Sequence, residues 1–360
     1  MAKALSHAGF TVTWIPVKSS SFIRNVYLKA VKVATRLFPY FKKYLPVFPA
    51  WQARVIAKNI DQCLLDSCDA IFAPMQAITL SAIHTRTPIV YLSDATYRVM
   101  WDYYWFHVPK ADIRALERME QTALDKAATI IYPCQWAAES AVRDYGQDPQ
   151  KIHLAYFGPN FKPRDMVPHH FTFNGSLQLL FVGVNWKRKG GPIAVDACRW
   201  LNENGISAIL HIVGVKRMDR AIRDLSFIQD EGFLNKNRPE DYAKLLALYH
   251  NSDCFLLPTQ AECTGVSFTE ACAFGLPCFS HRTGGVEDYI LDGETGRLLP
   301  LGSSGEDFGH AIKKAILSGE MESMSRATIS FSKKRLNWDK WADIVSKAII
   351  QTIQSNKVSE

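Results

Sequence analysis

The sequence predicts an α/β protein of two Rossmann-like, doubly wound domains, the first of them lacking its opening strand. Three observations carry this. Short apolar runs alternate with helix-length amphipathic segments along most of the chain. The runs 177–184 (LQLLFVGV) and 254–258 (CFLLP) are apolar without alternation, as strands covered on both faces must be. Pro and Gly fall where helices begin and end, with Pro192 at a first helical position and Gly205 just past the last.

In the first half, residues 1–9 read as a helix ended by Gly9, leading into a strand at 11–15 (TVTWI). Residues 24–38 read as a helix. Strands follow at 70–73 (AIFA), 89–92 (IVYL) and 129–132 (TIIY), with a helix at 110–128. A doubly wound domain opens on a strand and a Gly-rich turn. Here a helix stands first, so either the true start lies upstream or the domain lacks that strand. The stretch 158–176 (GPNFKPRDMVPHHFTFNGS) has no helical or strand period and marks a boundary. Its paired His169 and His170 read as solvent-facing linker residues. The division expected is a first domain at 1–160, a linker at 161–176, a second domain at 177–330 and a terminal segment at 331–360.

The second half alternates more cleanly. The strand at 177–184 is followed by a basic loop, 185–191, and a helix from Pro192. Strands at 206–214, 254–258 and 277–280 alternate with helices at 239–249 and 265–274, the latter ended by Gly275. This pattern means a parallel sheet with helices on its faces. Residues 338–350 form an amphipathic helix.

Composition excludes several classes. Of 360 residues 48% are hydrophobic and 21% charged, an ordinary globular balance. No apolar run reaches the roughly 18–20 residues that span a bilayer, and residues 1–7 do not read as a signal peptide. The eight cysteines lie scattered in apolar segments without a CxxC pair, as reduced core thiols do. The net charge of +7 is uneven: residues 1–60 hold ten Lys and Arg and no Asp or Glu. An unopposed basic block suits an anionic partner. Lys29, Lys32 and Arg36 share one helix face, and aromatics such as Phe38, Tyr40, Phe41 and Trp51 interleave with further lysines. That composition suits the interface of an anionic membrane. Nucleic acid could use it too, and a structural helix with solvated lysines would look the same.

The most informative stretch is 258–292, PTQAECTGVSFTEACAFGLPCFSHRTGGVEDYILD. Glu262 sits on a loop, Thr264 is placed to cap the helix that follows, and Glu270 lies inside that helix. Backbone amides near 264–267 can hold a phosphate between the two carboxylates. Carboxylates flanking an anion site suit a diphosphate with hydroxyls on both sides, that is, a nucleotide sugar. The loop 181–191 (FVGVNWKRKGG) brings Lys187, Arg188 and Lys189 to the mouth of the sheet, where cations can neutralise a diphosphate leaving group.

The ordered run E-x7-E, Ala-x-Gly-x-Pro, Gly284-Gly285-x-Glu287 and Gly293-x-x-Gly296 resembles the signature of the retaining family-four (group 1) glycosyltransferases. The resemblance covers the second domain and, more weakly, the first. It implies the GT-B fold, two such domains facing across a cleft, and transfer of a hexose from a nucleoside-diphosphate sugar to a saccharide or lipid-linked acceptor. By resemblance Glu270 binds the ribose, Glu262 contacts the sugar, and Cys263, Thr264, Gly265 and Val266 present amides to the diphosphate. Lys189 keeps the family's offset from Gly183, while Arg188 occupies a variant position. The segment 232–236, with Asn235 and Lys236, resembles the lining of the base pocket. Family members often carry His-Asp after the strand at 89–92; here Ser93-Asp94 stands there. Asp94 could orient a sugar hydroxyl or accept the acceptor's proton. The alternative is an Asp capping the next segment.

No D-x-D triplet, which holds a divalent metal in the other main glycosyltransferase fold, occurs in the chain. The expectation is therefore a metal-independent enzyme without cofactor, acting in glycan biosynthesis. The partners expected are a nucleotide-sugar donor and a glycan or lipid-linked acceptor, with no nucleic acid. Residues 18–58 would meet an anionic membrane, and the enzyme would be cytoplasmic, peripheral at the inner membrane face. The competing reading is a truncated or non-catalytic nucleotide-sugar-binding relative.

Overall fold

The structure is a computed structural model describing residues 1–17, 33 and 50–359. The chain divides into two compact units, Met1–Ala155 with Ala342–Glu360, and Tyr156–Trp341. The expected helix at 24–38 and most of the basic stretch lie outside the described residues.

The first unit holds a four-stranded parallel sheet in the order β1-β2-β3-β4: Ile71–Pro74, Ile89–Leu92, Ala127–Tyr132 and Ile152–Leu154. β2 is buried along its whole length, as its unbroken apolar run predicts. The helix Lys110–Lys126 stops where β3 begins, and the Lys126 ammonium donates to the carbonyls of Leu80, Ser81 and Ile83 at 3.1, 3.0 and 2.8 Å. That cation answers the unpaired carbonyls at the end of the helix Ala77–Ala82. The expected strand at 11–15 is not formed. Its alternation buries nothing, since Val12 and Trp14 stay 37% and 77% exposed. β4 was not expected because its three residues carry no apolar run.

The second unit holds a six-stranded parallel sheet, order β10-β9-β8-β5-β6-β7. Its strands are β5 Ser176–Val182, β6 Ser207–Val213, β7 Ile228–Gly232, β8 Cys254–Leu256, β9 Cys278–His281 and β10 Gly296–Leu299. Strand order reverses between β5 and β8, so their carboxyl ends splay the helices apart and open a crevice. β7 and β10 are additions to the expected set. β7 (IQDEG) is largely polar, and β10 is short, with Gly296 pressed so close to β9 that a Cβ would stand 1.8 Å from the Cys278 carbonyl oxygen.

The helix Val266–Phe274 packs between this sheet and the helix Glu320–Lys334. It buries Phe268, Thr269, Glu270, Ala271, Cys272 and Phe274, so it has no solvent face to speak of. The terminal helix Trp338–Ser359 starts in the second unit and continues in the first, where the hydroxyls of Thr352 and Thr129 meet at 2.6 Å.

Candidate functional site

The loop after β5 folds back on itself at the crevice. Gly183 follows the strand, and a Cβ there would press within 2.9 Å of the Lys189 Cγ, so the glycine lets the lysine stem lie across the strand end. Lys189 Nζ reaches Glu262 Oε2 in a close ion pair, and Arg188 stands 3.8 Å from the same oxygen. The Arg188 guanidinium also donates to the Ala261 carbonyl at 2.6 Å. Both partners of the Lys189–Glu262 pair are largely buried, which demands charge compensation.

Backbone contacts hold the two loops together. The Gln260 N–H donates to the Arg188 carbonyl at 2.7 Å. Gly190 takes a left-handed φ of 76°, and a Cβ would stand 1.9 Å from the Pro258 carbonyl oxygen. Only glycine meets both requirements. The buried His281 ring braces the loop from below, Nδ1 lying 3.1 Å from the Pro258 oxygen and Nε2 3.1 Å from the Ser303 oxygen.

The segment Glu262–Val266 leads into the helix Val266–Phe274. Thr264 does not cap it. The N-cap is Gly265, at φ 51°, and no side chain caps the helix start. A Cβ at Gly265 would meet the Phe268 ring at 2.4 Å, so the turn there is a glycine turn. The helix thus presents its first amides beside Cys263, Thr264 and Gly265 without a side-chain oxygen claiming them, an anion-binding arrangement. The second glycine loop is tied in as well, the Gly285 N–H donating to the Glu262 carbonyl at 3.1 Å.

Just over one turn into that helix, Glu270 is 4% exposed and is the centre of a separate network. Its Oε1 accepts from the Asn160 N–H at 3.2 Å and pairs closely with Lys236 Nζ. Its Oε2 accepts from the Tyr249 hydroxyl at 3.1 Å. Burial, and then the Glu270 charge beside it, raise the Tyr249 phenol well above its usual range, so it stays a donor. Lys236 Nζ also stands 4.0 Å over the Phe161 ring. Asn235 does not join them: its side-chain oxygen accepts the Asn237 N–H at 3.0 Å and serves the turn.

Sequence reasoning thus places Gly183, Arg188, Lys189, Glu262, Cys263, Thr264, Gly265, Val266, Lys236 and Glu270 at the carboxyl edge of the second sheet, and the structure brings Lys189 to Glu262 and Lys236 to Glu270. It missed Tyr249, Asn160 and His281. Tyr249 carried a signal, since it lies on the apolar face of the helix Pro239–His250. His169 departs from expectation: it is half-buried, its Nε2 2.9 Å from the Ser252 carbonyl oxygen.

In the first unit Asp94 follows β2, half-buried. Glu120, fully buried on the helix Lys110–Lys126, accepts the Tyr97 N–H through Oε2 at 2.6 Å, while its Oε1 has no well-aligned partner among the described residues. Burial pushes this carboxyl up to about 8, against the pull of its bonds with Tyr145 and the Tyr97 N–H. Among the described residues no group of three or more His, Cys, Asp or Glu gathers as metal ligands, and no helix is long and apolar enough to cross a membrane.

The chain matches known proteins in sequence and in fold. The family model for glycosyl transferases group 1 matches residues 166–335, and that for glycosyltransferase family 4 matches residues 1–160. A D-inositol 3-phosphate glycosyltransferase of Pseudarthrobacter chlorophenolicus is 27% identical over 212 residues, 56% of this chain and 50% of that protein. A glycogen synthase of Thermodesulfovibrio yellowstonii is 33% identical over 155 residues, 40% of this chain and 29% of that one. The chain therefore spans about half the length of the first of these curated relatives. The crystal structure of Anabaena Alr3699/HepE in complex with UDP and glucose superposes with a TM-score of 0.58 at 16% identity, over 78% of this chain and 77% of that one, a likeness of fold.

Proposed function

The chain belongs to the group 1, family-four glycosyltransferases, and from that premise we propose that it is a retaining hexosyltransferase. It moves a hexose from a nucleoside-diphosphate sugar to a saccharide or lipid-linked acceptor in glycan or polysaccharide biosynthesis, with side-chain cations where other enzymes use a metal. The observation that carries the reading is the convergence of Lys189 and Arg188 on Glu262 at the crevice where the sheet order reverses.

The chemistry follows from that arrangement. As the bond from the sugar C1 to the diphosphate oxygen breaks, negative charge grows on the β-phosphate. Lys189, Arg188 and the uncapped amides near Val266 meet that charge through charge-assisted hydrogen bonds. In the free protein Glu262 holds the two cations in place. With donor bound, it shares them with the phosphate and is left facing the sugar. Glu270, fixed by Tyr249 and the Asn160 N–H, offers its carboxylate to the ribose hydroxyls, and Lys236 yields or shares its place. The acceptor hydroxyl forms the new C1–O bond on the face the phosphate leaves, and its proton passes to the departing phosphate oxygen. Asp94 is assigned to the acceptor side, orienting a sugar hydroxyl. The basic stretch 18–58 is assigned to an anionic membrane surface, supported by its cations and lack of acids.

Calorimetry with UDP and GDP tests the reading. One of the two binds the wild type, and Glu270→Ala abolishes that binding. A protein that binds no nucleoside diphosphate at all is not this enzyme.

A further inference from the structure

Six of the ten residues 97–106 are aromatic, where the whole chain has 12%. In the first unit five of these rings stand in two groups, the second joined by Trp136. Trp105 lies 5.4 Å from Tyr97 and 5.1 Å from Trp101, and Tyr103 lies 5.5 Å from Tyr104 and 5.0 Å from Trp136. A core would hide such rings, yet Trp105 and Phe106 are 36% and 58% exposed. The segment is also held firmly. The N–H groups of Tyr104 and Trp105 both donate to the Met100 carbonyl, at 3.0 and 2.9 Å, and the Asp102 N–H donates to the Trp105 carbonyl at 3.1 Å. Trp101 Nε1 donates to Glu117 at 2.9 Å. Exposed rings held on a fixed backbone are prepared for a ligand, with little ordering left to do on binding.

The charges nearby choose the ligand. Residues 93–109 carry Asp94 and Asp102 against the single cation Arg98, with no lysine. An anionic bilayer is drawn by unopposed cations; here Arg98 lines a pocket with Arg114, Arg118 and Arg143, but Glu117 pairs with Arg98 at 3.1 Å and Asp144 with Arg143 at 2.7 Å. A pyranose ring instead offers an apolar face of C–H groups, which lies on aromatic faces, and a rim of hydroxyls, which donate to carboxylates. Asp94 lies three residues before Tyr97, whose phenol is raised by burial first, then by the Glu120 charge and then by that of Asp94.

Resting on the glycosyl-transfer reading, we propose that residues 97–106 form a stacking platform for a pyranose ring of the acceptor, with Trp105 and Phe106 as the contact rings and the carboxylate of Asp94, three residues ahead of Tyr97, for the hydroxyl rim. The acceptor is thus a saccharide, or carries one at the end that enters.

The test uses the full chain and saturation-transfer NMR with a panel of methyl hexopyranosides and hexose disaccharides. Sedimentation with phosphatidylglycerol vesicles and nucleotide calorimetry run alongside. The expected result is saturation of at least one sugar's C–H face, weakened about tenfold by Trp105→Ala or Phe106→Ala. Trp14→Ala, 77% exposed elsewhere, leaves it unchanged. The platform is overturned if no sugar is saturated, or if the loop variants bind sugar as the wild type does. It is equally overturned if they lose binding to vesicles instead, which assigns the loop to lipid. Loss of nucleotide binding in the wild type would overturn the transfer reading itself, so the two failures are distinct.

Discussion

Lys189 and Glu120 show how differently two buried charges behave. Lys189 has a carboxylate against it and lies where a ligand's charge would arrive. Lys189→Ala should lower kcat by about 10²–10³-fold with a smaller change in donor KM, because its bond to the leaving phosphate strengthens only as that bond breaks. Steady-state kinetics of nucleoside-diphosphate release would measure this; a change in KM alone would count against it. Among the described residues no cation pairs with Glu120. Its carboxyl is raised from 4.5 to about 8 in the folded protein, so the fold binds its proton more tightly than the unfolded chain does. The stabilisation from that proton is whole below the unfolded value and fades as pH rises through about 8, by about 1.4 kcal/mol per unit inside the window. Glu120→Gln should therefore flatten the fall in urea midpoint between those two values and be the more stable protein above them. Parallel profiles for the two proteins would refute it.

At the scale of elements, the second sheet was legible and the first was only partly so. β5, β6, β8 and β9 announce themselves because strands covered on both faces are mostly apolar, and their few inward polar groups, such as Ser280 and His281, are hydrogen-bonded. β7 and β10 lie at the sheet edges, where half of each strand is released from that demand, and their sequences show it. The stretch at 11–15 has the opposite history: β-branched alternation without a neighbour to pair with among the described residues. The site was legible where spacing is local, as in Glu262 to Glu270 and Gly183 to Lys189. Tyr249 and Asn160 reach Glu270 across 21 and 110 residues, and no local pattern encodes such a meeting. The crossing of the β5 and β8 loops at Gly190 is the tightest backbone approach in the site. Gly190→Ala should destabilise the protein by about 3 kcal/mol, from a left-handed φ and a clash with the Pro258 carbonyl together. Urea unfolding would register it, and a loss under about 1 kcal/mol would show that the loops can part.

At the scale of the whole molecule, the charge is divided as the motifs are. The ten unopposed cations all precede residue 61, while the motifs at 183–287 lie in the second unit. Saturating nucleotide, at about a hundred times its Kd, should stabilise the unit that binds it by about 2.7 kcal/mol. Hydrogen exchange should then slow in the helix Val266–Phe274 and leave β1–β4 as they were; slowing confined to the first sheet would move the nucleotide site. The terminal helix adds one more consequence. The second unit is a single unbroken span of the gene, residues 156–341, whereas the first needs two distant pieces of it. Recombination could therefore exchange this second unit between relatives as one cassette. A matching exchange of the other half must carry the last turns of the helix Trp338–Ser359 with it, so that the tail should share its ancestry with the front of the chain rather than with the residues just before it.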